Sequence, residues 1–156
     1  MNDAYGKNIM NQRRIRFVLY FSIFLLPFCS YAGSFDGSRS LKGSVDKIIE
    51  INRSTLKNDV SPDTIGLPQR FLIDFKDKVV RPSKDSMIRK VIKIKHIEHV
   101  ENKLVLQGID DGVENIDDGL AWSLVISKRT GKVTLAASGD GLAYVVFGTC
   151  SEAENN

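Results

Sequence analysis

The sequence predicts a mainly β protein, an antiparallel sheet curled into a small barrel or sandwich with one short N-terminal helix, with α+β as the alternative class. Three observations predict it. Leu120, Trp122, Leu124 and Ile126 alternate with less apolar residues, Val133, Leu135 and Ala137 do the same, and Leu142 to Phe147 is apolar throughout. Alternation at a period of two places one residue set on each face of a strand. Turn residues separate these runs: Lys128-Arg129-Thr130-Gly131, then Gly139-Asp140-Gly141. Glycine there supplies the left-handed conformation that tight hairpins need. The result is a three-stranded meander whose last strand, apolar on both faces, is expected to be doubly buried and so to lie inside a sheet or between layers.

The chain opens with a different grammar. Lys7, Arg13, Arg14 and Arg16 precede an apolar run from Phe17 to Phe28, and Ser30-Tyr31-Ala32 follows before Gly33. A basic region, an apolar stretch of about a dozen residues and a small-x-small site form a secretory signal peptide. The run is shorter than the roughly 20 apolar residues a membrane-spanning helix needs. Residues 1–32 are therefore expected to export the chain to a periplasm or the exterior without leaving a stable membrane anchor, with translation starting at Met1 or Met10.

Beyond the cleavage site, residues 33–68 divide into a flexible lead-in (33–43), a short helix and a loop. The helix begins at Ser44, a capping residue, and carries Val45, Ile48, Ile49 and Leu56 on one face. Pro62, Gly66 and Pro68 mark the loop. A β-rich domain follows from 69 to 150, with residues 151–156 as an acidic tail. Its first strand alternates Phe71, Ile73 and Phe75 with Leu72, Asp74 and Lys76. The β-branched stretch Val91 to Val100, then Glu101-Asn102-Lys103 and Leu104 to Gln107, reads as a hairpin.

Charge narrows the function classes. The whole chain has 22 basic and 19 acidic residues, but residues 1–32 hold four of the former and one of the latter, which leaves 18 of each. A neutral domain lacks the broad positive surface with which general nucleic-acid binders displace counterions. The charge is unevenly placed: between Lys76 and Lys103 nine residues are basic and four acidic, whereas Asp110, Asp111, Glu114, Asp117 and Asp118 are acidic without exception. Opposed patches orient a charged partner. Lys90, Lys93 and Lys95 are the residues expected to engage it.

Catalytic signatures are missing: there is no Gly-x-Ser-x-Gly, phosphate loop, His-Glu-x-x-His or Cys-x-x-Cys. His96 and His99 lie three apart in a strand, which sends them to opposite faces and argues against a shared zinc ion. The repeated Ile-Asp-Asp-Gly of 109–112 and 116–119 offers Asp110, Asp111, Glu114, Asp117 and Asp118 as oxygen ligands for calcium, though without EF-hand spacing. Turn geometry explains the same Asp and Gly residues. Of two cysteines, only Cys150 lies beyond the signal, so stability rests on an apolar core or on oligomerisation.

The expected function is that of a small exported, non-enzymatic interaction protein of the bacterial envelope or extracellular space, engaging a protein through its charged patches. The alternative is a periplasmic carrier that holds a small apolar ligand in a β-barrel cavity lined by Trp122.

Overall fold

The computed structural model describes residues 35–112 and 119–153. The expected export segment therefore lies outside the described residues, as do Glu114, Asp117 and Asp118 of the acidic loop. Among the described residues there is no α-helix, and none is long and apolar enough to cross a membrane.

Among the described residues ten strands follow one another: β1 (Leu41–Asn52), β2 (Leu56–Asn58), β3 (Arg70–Asp74), β4 (Val79–Pro82), β5 (Ile92–Lys93), β6 (His96–Val100), β7 (Lys103–Asp110), β8 (Leu120–Ser127), β9 (Lys132–Gly139) and β10 (Leu142–Glu152), with one 3₁₀ turn at Pro62–Ile65. They form one antiparallel sheet in the order β5-β4-β3-β1-β10-β9-β8-β7-β6, with β2 also paired to β1, and the sheet curls into a half-barrel. Its two end strands are consecutive in the chain. Ile94 donates its N–H to Lys78 O (2.8 Å), and Lys95 donates to Gln107 O (2.8 Å), so one stretch of backbone ties both edges of the sheet.

Three rows of side chains cross the inner face. Leu104, Ile126, Val133, Gly148 and Val45 are successive cross-strand partners, as are Leu106, Leu124, Leu135, Val146 and Ile48. The third row runs Gly108, Trp122, Ala137, Tyr144 and Glu50. Leu104, Leu106, Ile126 and Ile73 are wholly buried. Each such side chain stabilises the fold by about 1.5–3 kcal/mol relative to exposure. The alternating residues of β8 and β9 are thus the inward-facing ones. Asp140 (φ 46°) and Gly141 (φ 78°) make the two-residue connection between β9 and β10. Positive φ at both positions is the turn whose twist matches the flanking strands.

Three expectations need correction. The segment assigned to a short N-terminal helix is β1, a long strand held between β10 on one edge and β2 and β3 on the other. A β-bulge at Asp46 explains the misreading. Leu41, Gly43 and Val45 face inward before it, and Ile48 and Glu50 after it, because the pairing shifts between Val45 and Lys47. One extra residue turns a spacing of two into a spacing of three. Val45 and Ile48 then share a face, as they would on a helix. The lead-in expected over 33–43 is also shorter, since Leu41 already belongs to β1 and the Phe35 N–H is bonded to Lys128 O (3.2 Å).

The third correction concerns β10. It is central in the sheet, but Phe147 is 40% exposed. Central position satisfies a strand's hydrogen bonds on both sides, whereas burial of both faces requires a second layer. Among the described residues, no second layer covers the outer face around Phe147.

Candidate functional site

The inner face of the half-barrel holds an apolar cavity of about 100 Å³ that opens to solvent. Trp122, Leu124, Leu135, Ala137, Tyr144 and Val146 supply its wall from β8, β9 and β10. Ile65 to Pro68 close one side, and Lys90 and Asp110 stand at its rim. The 3₁₀ turn places the closing segment: Gly66, in the left-handed conformation (φ 67°), donates to Asp63 O, and Leu67 donates to Pro62 O (3.0 Å).

Trp122 is the only tryptophan of the chain. It is 7% exposed and lies across from Gly108 on β7. A Cβ at position 108 would fall 2.4 Å from Trp122 Cζ2 and 2.6 Å from Cε2, so the absence of a side chain there makes the seat of the ring. The indole Nε1, bonded to Cε2 at that edge, is buried and meets no acceptor among the described residues. A buried donor left unpaired costs about 1–3 kcal/mol.

Glu50 closes the row beyond Tyr144. Its carboxylate, 13% exposed, accepts from Lys57 Nζ at 2.7 Å. Burial pushes the Tyr144 phenol above its ordinary pKa, with the Glu50 carboxylate as the next cause. The raised pKa favours the neutral phenol.

The residues singled out by the sequence are distributed in an unexpected way. Lys90, from the basic stretch, hydrogen-bonds through Nζ to Asp110, from the acidic loop, and to Gly112 O at 3.0 Å. The Gly112 N–H also binds Asp110 (3.0 Å). One residue of each charge run thus meets the other at the cavity rim. Lys93 and Lys95 are exposed on either side of buried Ile94, and neither forms an ion pair among the described residues. Asp111 is exposed, and its acidic neighbours Glu114, Asp117 and Asp118 fall outside the described residues. Among the described residues no three His, Cys, Asp or Glu side chains converge as metal ligands. His96 and His99 are both exposed on β6.

No family model matches the chain. No curated protein and no solved structure matches it either.

Two features escaped sequence reasoning. Ile65, Leu67 and Pro68 sit in a segment whose proline and glycine content signals only a loop, and nothing local says that it packs over the inner face. Lys42, Arg70 and Lys84 come together only because β1 pairs with β3. They are too far apart in the chain for composition to reveal a cluster.

Cys150 is buried and lies on the inner face of β10. Burial pushes its thiol from 9.0 up to about 12. A raised pKa in the folded state means that stability is intact below pH 9.0 and declines as pH rises from there towards about 12. The decline attributable to this thiol is about 1.4 kcal/mol per pH unit. Cys150→Ala is expected to flatten the alkaline arm of a stability–pH curve measured by urea unfolding. An equally steep arm in that variant would show that other groups carry it. In the folded protein the thiol is expected to resist iodoacetamide at pH 8 and to react once urea is added.

Proposed function

We propose that this chain works outside the cytoplasm as a non-enzymatic binding protein that takes an apolar group into the interior of its half-barrel. The export reading rests on the order of basic, apolar and small residues over 1–32. The binding reading rests on one observation, the apolar cavity walled by Trp122, Leu124, Leu135, Ala137, Tyr144 and Val146 with Lys90 and Asp110 at its rim. Small-molecule sites are concave and mostly apolar, with a few placed polar groups that fix orientation. The cavity, at about 100 Å³, is smaller than the engineered one of about 150 Å³ that holds benzene. It therefore suits the end of an acyl chain, with the remainder of the ligand emerging past the rim. An acidic headgroup there would compete with Asp110 for Lys90.

Native mass spectrometry of protein purified without denaturation is expected to show a bound small molecule. Titration with laurate is expected to shift the emission of the single tryptophan, which lies in the wall. Lys90→Gln should weaken laurate about tenfold and leave dodecanol unaffected, because only the former presents a carboxylate. A clean apo mass together with unmoved emission for both compounds refutes the reading.

A second reading has its own observation. Lys93 and Lys95 project from the segment that ties the two sheet edges, where they suit an acidic protein partner. Capture of an envelope or extracellular protein at low salt, abolished by Lys93→Glu with Lys95→Glu, is the expected result; a partner indifferent to both salt and charge reversal contradicts it.

A further inference from the structure

The outer face of β3, β1 and β10 carries a second concavity, separate from the apolar cavity. It is a groove of about 590 Å³ whose charged lining residues, among the described residues, are Lys42, Arg70 and Lys84, with no acid. Strand geometry assembles it. Ser44 is the cross-strand partner of both Arg70 and Thr149, and Lys42 is the partner of Ser151. These residues alternate with inward-facing Leu41, Gly43 and Val45, so they share the solvent side. Lys84 comes from the segment after β4, which is bonded to β3 through Ser83 N–H to Arg70 O (3.0 Å).

We propose that this groove binds a phosphate ester of about the size of a sugar phosphate. Its volume falls in the range of roughly 300–1,000 Å³ typical of small-molecule sites. Three cations facing one groove on a domain of balanced charge match a multiply charged anion better than a single carboxylate. Arg70 adds a planar fork of donors suited to phosphate oxygens. The hydroxyls of Ser44 and Thr149 lie 3.1 Å apart and bond to each other. One serves as donor to the other, which leaves the second hydroxyl proton for a ligand. The competing acid, Asp85, lies 3.5 Å from Arg70 with both side chains about two-thirds exposed. Such a pair is weak and easily displaced.

The test uses the full chain and amide chemical shifts. Glucose 6-phosphate is expected to shift Ser44, Arg70, Lys84 and Thr149 saturably, with glucose inert. Replacing Lys42, Arg70 and Lys84 by Gln should weaken binding about tenfold or more, whereas Gln at Lys93 and Lys95 should change it less than about twofold. Phosphatidylglycerol vesicles, with phosphatidylcholine as the control, form the other arm. Binding to vesicles alone, lost in the triple variant, assigns the phosphate to a lipid headgroup; binding to the soluble ester alone assigns it to a dissolved metabolite. Equal weakening in both sets of variants, or no saturable shift in either arm, overturns the proposal.

Discussion

Gly108→Ala is expected to destabilise the fold by about 3 kcal/mol, at the upper end of the cost of overpacking a core. The added Cβ would meet two ring carbons of Trp122 at 2.4 and 2.6 Å and the backbone oxygen of Lys93 at 2.6 Å. A ring pressed by one methyl group could tilt away. A backbone oxygen cannot, because the chain from Lys93 to Lys95 ties β4 to β7. Relief on one side therefore tightens the other. Urea unfolding followed by far-ultraviolet circular dichroism measures the loss, and a drop of this size lowers Tm by roughly 10 °C for a domain of this length. The tryptophan emission of the folded variant should also move, since the seat of the ring is filled. A variant as stable as the parent, with unchanged emission, would mean that Trp122 does not rest on Gly108.

Ala137→Leu is expected to abolish uptake of an apolar group while leaving the fold intact. Ala137 stands between Trp122 and Tyr144 on the inner face and lines the cavity. Three added carbons would occupy much of a space of about 100 Å³. Each buried methylene adds about 0.8 kcal/mol of favourable burial, so stability should be unchanged or slightly higher. Laurate affinity, read by tryptophan emission, should fall at least about tenfold, and the mass of any co-purified molecule should vanish. Shape loss without stability loss separates filling a binding cavity from damaging a core. Retained affinity would place the ligand elsewhere and remove the carrier reading.

The two variants probe different layers of legibility. The seat of Trp122 is invisible in the sequence, where Gly108 stands in Leu104-Val105-Leu106-Gln107-Gly108-Ile109 and reads as a weak point in a strand. Only the β7–β8 register makes it the partner of Trp122. Ala137 was legible as an inward-facing residue of its strand, but not as the wall of a cavity. The rim pair shows the same limit more sharply. Lys90 and Asp110 belong to two charge runs that, taken separately, suggest opposed patches for a partner. Folding brings them into contact, 20 residues apart in the chain.

By itself the sequence determined that the domain is built from strands, that Trp122, Leu124 and Ile126 face the same side as one another, and where the hairpins of the last third turn. These are properties of near neighbours, since side-chain alternation and turn dihedrals are decided within two to four residues. Tertiary structure decided that residues 41–52 are a strand, because β10 and β3 supply its hydrogen bonds and the bulge at Asp46 disguises its period. It also decided which charges meet: the path of the segment between β4 and β5 set Lys90 against Asp110 and, with the β1–β3 pairing, gathered Lys42, Arg70 and Lys84 around one groove. Pairing between segments up to about a hundred residues apart depends on the fit of whole faces, and no local window contains that information.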